Sequence, residues 1–125
     1  MGHSIFKEVR FESSHYLENY EGKCNNIHGH NYVVEIEIEA EELYNGFVVD
    51  FTEIKELIKD KYDHKMLNNV DENLVSMPTA EKLAETIYHD VNYFLAEQPN
   101  TPHCFSVSVW ENESSCASFS DNMIL

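Results

Sequence analysis

From residue 32 to residue 39 the chain alternates, with Tyr32, Val34, Ile36 and Ile38 on one parity and Glu35, Glu37 and Glu39 on the other. Apolar and acidic residues alternating with period two mark a strand with one face buried and the other in water. Whatever else the chain forms, it must cover that even-numbered face.

The same parity carries His28 and His30, separated by Gly29, which adds no side-chain bulk between them. Alternate strand residues point the same way, so both imidazoles extend the buried face. In the first apolar segment, Ile5, Val9 and Phe11 share odd parity, and His15 continues it if the strand persists. Three imidazoles from two neighbouring strands can then converge. Three neutral imidazoles leave a fourth position open, the pattern of a catalytic rather than a structural zinc. Zn²⁺ is the default ion for such a set, although imidazole also suits Fe, Ni and Cu. A lone histidine is usually an ordinary polar residue, and His3, His89 and His103 are read so. An H-x-H pair with a third histidine at matching parity favours a metal.

The remaining elements follow from periodicity. Asp50 can cap a helix whose apolar face is Phe51, Ile54, Leu57 and Ile58, with Glu53 at the third position. Thr79, after Pro78, caps a second helix with Leu83, Ala84, Ile87, Tyr88, Val91, Phe94 and Leu95 on its face. Phe105, Val107 and Val109 alternate as a third strand, and a fourth covers Cys116 to Phe119. The order, two strands, two helices, two strands, predicts one α+β domain over residues 1–125, with a four-stranded antiparallel sheet and both helices on one face. A domain of 125 residues buries only part of its apolar surface, which invites oligomerisation.

The formal charge of −15 repels nucleic acid and anionic membranes. The sequence has neither a bilayer-spanning apolar run nor a leader pattern. Three cysteines, none in C-x-x-C spacing, predict free thiols in a reducing cytoplasm. Cys104 and Cys116 are read as small core residues. Cys24, four residues before His28, is a base activated by a nearby cation or a fourth metal ligand. Asp63 and His64 are a candidate proton-transfer pair or a solvated helix end. Glu111 continues the buried parity of Phe105, Val107 and Val109. Either it has a partner such as the N–H edge of a guanidine-like ligand, or the strand has emerged into solvent.

Several segments together carry a resemblance. They are Phe11-Glu12-Ser13-Ser14-His15, Lys23-Cys24-Asn25-Asn26-Ile27-His28-Gly29-His30-Asn31-Tyr32, Gly46-Phe47-Val48-Val49-Asp50-Phe51, Tyr62-Asp63-His64-Lys65-Met66-Leu67-Asn68, Pro78-Thr79-Ala80-Glu81 and the Glu111 strand. In this order the chain resembles the 6-pyruvoyl-tetrahydropterin synthase family. The spacing C-x-x-x-H-G-H is similar to the branch that makes 6-carboxytetrahydropterin for queuosine rather than to the biopterin branch. The resemblance implies a ββααββ tunnelling fold, with trimeric barrels stacked into a homo-hexamer and active sites between subunits. It implies one Zn²⁺ per subunit on His15, His28 and His30, Cys24 as general base, and Asp63 with His64 as the second proton-transfer pair. Glu111 would anchor the pterin ring of 7,8-dihydroneopterin triphosphate, with Thr79 in the same pocket. The phosphates need cations, and Lys7, Arg10, Lys23 and Lys65 lie in or near these segments. Tyr16, where the family often carries Arg, and Ser13-Ser14, where Ala-Ala is common, are departures.

Overall fold

The computed structural model of the chain describes residues 1–18, 22 and 26–121. Two long strands, β1 (His3–His15) and β2 (His28–Ala40), pair antiparallel along their whole length, from His3 opposite Ala40 to His15 opposite His28. Helix α1 (Phe51–Tyr62) follows, then a two-residue strand β3 (Lys65–Met66), helix α2 (Ala80–Leu95), β4 (His103–Asn112) and β5 (Ser115–Ser120). The sheet runs β3-β1-β2-β4-β5. It therefore has five strands rather than four. The extra one, β3, joins β1 in parallel at Ser13 and Ser14, and it is too short to leave an alternation in the sequence.

The even parity of β2 is the buried one: Tyr32, Val34, Ile36 and Ile38 are at most 1% exposed. They pack with Val9, Phe11, Val107 and Val109 under the helices. Asp50 caps α1 by accepting from the Thr52 N–H, and Thr79 caps α2 by accepting from the Lys82 N–H. The α1 face differs from expectation at its ends. Phe51 is exposed and Tyr62 is buried, because the first turn of α1 overhangs the core and its last turn reaches Phe11. Before α1, Tyr44 and Phe47 exchange backbone hydrogen bonds across Asn45-Gly46, both at positive φ, as a two-residue hairpin turn demands.

Two bulges shift parity in β4. Glu37 pairs with Ser106 but Ile38 with Cys104, so Phe105 is the extra residue and Cys104, not Phe105, is fully buried. Burial pushes the Cys104 thiol up to about 12. Cys116, in contrast, is not a core residue. It is exposed on the helix-free side of β5, opposite Trp110. Both of these thiols are free. His103, expected in a loop, opens β4 and pairs with Asp121. Among the described residues, no helix is long and apolar enough to cross a membrane.

A polar staple joins the helices. Lys61 Nζ lies 2.7 Å from Asp71 and 3.0 Å from both Asp90 oxygens, and the buried Tyr62 hydroxyl also donates to Asp90. Asp90→Ala leaves that hydroxyl without its acceptor, which costs about 2–3 kcal/mol. Thermal unfolding should fall by roughly 10 °C, and Asp90→Asn, which keeps an acceptor, should lose about half as much.

Candidate metal centre

Strand pairing builds the site. Register places His15 opposite His28 and Ser13 opposite His30 at one end of the sheet, and pleat parity turns all three imidazoles toward the helix side. His15 Nε2 lies 3.1 Å from His28 Nε2, and the His30 ring centroid is 5.0 Å from that of His15 and 4.8 Å from that of His28. The expected trio meets. A Cβ on Gly29 would make only an ordinary contact, 3.7 Å from the Ser13 carbonyl, so the glycine is not there to make room for the rings.

Neighbouring groups fix the tautomers. His15 Nδ1 is 3.0 Å from the Pro78 carbonyl and 3.0 Å from the Tyr32 hydroxyl. His28 Nδ1 is 2.8 Å from the Asn26 carbonyl. Carbonyls only accept, so both Nδ1 atoms carry the proton and both Nε2 atoms present lone pairs to the same point. Two lone pairs 3.1 Å apart repel unless a cation lies between them. His30 Nε2 is buried with no hydrogen-bond partner among the described residues. Burial holds the His15 and His30 imidazoles below their usual range, against the opposing pull of Glu111. A neutral, convergent, unsatisfied donor set of this kind fits a metal ion.

Glu111 joins this group. Its Oε1 lies 3.0 Å from His30 Nε2 and 3.5 Å from His15 Nε2, and the four ligand atoms lie within 4.8 Å of one another. The carboxylate thus stands beside the imidazoles rather than apart from them in a separate ligand pocket.

Asp63 and His64 do touch, His64 Nδ1 lying 3.1 Å from Asp63 Oδ2. Asp63 ends α1, and its other oxygen accepts the Glu12 N–H at 3.0 Å, which with His64 holds its carboxyl below the usual range. His64 sits at φ 55, an uncommon conformation for a non-glycine residue, pinned by its own N–H donating to the Glu12 carbonyl. The ring is exposed and shares a cleft of about 550 Å³ with Ser13, His30 and Lys65. A second cleft, about 760 Å³, holds His30, Glu111, Arg10 and Trp110. A third concavity, of about 980 Å³, lies at the opposite end of the sheet, between residues 1–4 and 99–103, away from His15, His28 and His30. Thr79 is half-buried next to the Pro78 carbonyl that orients His15.

Of the proposed cations, Lys65 and Arg10 line these clefts, although Arg10 also contacts Glu8 at 3.3 Å. Lys7 is about 20 Å along β1 from Ser13, at ~3.3 Å per residue, and lies outside the site. Cys24 and Lys23 fall outside the described residues. Tyr32, Pro78, Asn26 and Glu12, which orient the chemistry, escaped the sequence reading. Only Tyr32 left a signal, two residues beyond His30 on the same parity.

The class defined by these features is an α+β unit whose sheet ends in three convergent imidazoles, a cluster that could hold a metal ion. The model of the family described as 6-pyruvoyl tetrahydropterin synthase matches residues 4–122, and the chain belongs to that family. It is 35% identical over 115 residues to 6-carboxy-5,6,7,8-tetrahydropterin synthase of Bacillus subtilis, covering 87% of this chain and 79% of that protein. To the enzyme of the same name in Synechocystis it is 32% identical over 124 residues, covering 92% and 91%. The Caenorhabditis elegans 6-pyruvoyl tetrahydropterin synthase structure shares the fold, with a TM-score of 0.77 over 98% of this chain and 97% of that one, at 22% identity.

Proposed function

We propose that this chain is a zinc-dependent lyase of the 6-carboxytetrahydropterin type. With water, 7,8-dihydroneopterin triphosphate would yield 6-carboxy-5,6,7,8-tetrahydropterin, acetaldehyde and triphosphate, a reaction of the queuosine (7-deazaguanine) route. The observation that carries this reading is the approach of the His15 and His28 Nε2 atoms, 3.1 Å apart, beside a His30 Nε2 with no hydrogen-bond partner among the described residues. The likeness to enzymes of that name in Bacillus subtilis and Synechocystis supplies the branch.

His15, His28 and His30 would hold one Zn²⁺ per subunit. Bound there, the ion supplies positive charge that polarises the hydroxyl oxygens of the substrate side chain. The other steps belong to the chain itself. Cys24, as thiolate, takes a side-chain proton. Asp63 accepts from His64 Nδ1 and so leaves Nε2 to relay a proton. Glu111 pairs with the N–H edge of the pterin ring, and Thr79 serves the same pocket. Lys65 and Lys23 meet the phosphates.

The assembly we propose is a homo-hexamer of two stacked trimers, in the cytoplasm. Its support is the sheet's open edges: β3 pairs with β1 at Ser13 and Ser14 alone, and β5 ends the other side. Edge-to-edge joining of copies would close both and bring neighbouring sites together.

Incubating zinc-analysed protein with the triphosphate, then weighing the pterin and trapping acetaldehyde, tests the reading. One acetaldehyde per 6-carboxytetrahydropterin supports it. A 6-pyruvoyl product without acetaldehyde moves the chain to the sister reaction, and zinc-loaded protein without turnover is a binding protein. Lys65→Ala is expected to raise KM for the triphosphate about tenfold, the worth of one charge-assisted hydrogen bond. With sepiapterin, which has no phosphate, KM should hardly change. Equal effects on both would remove Lys65 from the phosphate site.

A further inference from the structure

Glu111 reaches the imidazoles through a backbone irregularity. Trp110 pairs with Cys116 and Asn112 with Ser115, which leaves Glu111 as the unpaired residue of a bulge between β4 and β5. Its strand has also stopped pairing with β2, the last partners there being Val33 and Trp110. Bulges re-aim side chains, and this one delivers a partly exposed carboxylate to a nearly inaccessible His15.

The contact is not a hydrogen-bonded ion pair. Although Glu111 Oε1 is 3.0 Å from His30 Nε2, that nitrogen has no hydrogen-bond partner among the described residues, so the oxygen lies out of line with the ring N–H direction. Donors around a tetrahedral ion with bonds of about 2.0–2.1 Å stand about 3.3 Å apart. Three of the six separations, 3.0 and 3.5 Å from Glu111 and 3.1 Å between His15 and His28, are close to that spacing, and all four atoms lie within 4.8 Å of one another. Three imidazoles and one carboxylate make a complete four-donor set.

We infer that Glu111 is a displaceable fourth metal ligand, which closes the centre at rest and leaves it when a pterin ring engages the same carboxylate. The inference rests on the metal and pterin roles proposed above. One carboxylate cannot serve a cation and a guanidine-like edge at the same time. Ring binding therefore frees the fourth position for the substrate's side-chain oxygens, and the empty site is shielded from adventitious ligands. The bulge leaves Glu111 without a register partner in either neighbouring strand, which gives the side chain room to swing.

Cobalt(II) alone, titrated into metal-free protein against a chelator, reads both affinity and coordination through its visible absorption. Wild type should bind one equivalent, and E111Q should bind at least tenfold more weakly, with weaker absorption as water replaces the carboxylate. Adding 6-methylpterin, whose side chain has no oxygen to offer, should move the wild-type spectrum toward that of E111Q and leave E111Q unchanged. E111D, with a carboxylate of shorter reach, should fall between them and serves if E111Q does not fold. Equal affinity and identical spectra for wild type and E111Q would overturn the inference, as would a wild-type spectrum indifferent to 6-methylpterin. Wild type that binds no cobalt, or binding untouched by His28→Ala, would instead remove the metal reading itself.

Discussion

His15→Ala is expected to release the bound metal and to lower turnover about a thousandfold. Polarisation by a metal contributes several kcal/mol to a barrier, and each 1.36 kcal/mol is a factor of ten. His15 is the ligand whose loss should cost most, because it is almost wholly buried and oriented from Nδ1 by the Pro78 carbonyl. Its truncation also strips a partner from Pro78 and from the Tyr32 hydroxyl, at roughly 1–3 kcal/mol. Metal analysis and thermal melts separate the two effects. His15→Gln, which retains bulk and a hydrogen-bonding end, should recover most of the stability but not the turnover. A His15→Ala protein that retains stoichiometric metal would refute the centre.

Cys24→Ala should lower turnover between about a hundredfold and ten-thousandfold while metal content stays near wild type, the range that a positioned general base contributes. In the proposed mechanism the thiolate, not the thiol, would be the base, and a cation held four residues further along the chain would favour it. Cys24→Ser should be nearly as impaired, since a hydroxyl does not ionise in the working range. Metal loss in Cys24→Ala would instead make the sulfur a ligand, in competition with Glu111 for the fourth position. Undiminished turnover would assign the proton to another group, with His64 the next to substitute.

The sequence made the histidine trio legible for a physical reason. Two long strands keep a strict period of two, so parity alone carried the imidazoles of His15, His28 and His30 to one face, with Tyr32 and Val34 continuing it. Parity fails where a strand bulges, and nothing in the residues of β4 announces its two bulges. Cys104 therefore replaced Phe105 in the core, whereas Glu111 kept the inward parity read from Val107 and Val109, and only its contact with His30 lay beyond the sequence. Cys116 was misplaced because a short edge strand offers too few residues to fix its phase. Asp63 and His64 show a different limit. Their contact depends on a positive φ and on the Glu12 backbone from a distant strand, which no local spacing encodes.

Strand β2 uses one pleat for two purposes, since the side that fills the interior with Tyr32, Val34 and Ile36 is also the side that bears His28 and His30. Deleting a single codon between residues 32 and 36 would reverse one half of the strand against the other, swinging both rings outward or driving Glu37 and Glu39 beneath the helices. Such a polypeptide should fail to fold before it could fail to react. Within this segment a library screened only for soluble expression would therefore also retain the frame that holds the ligands.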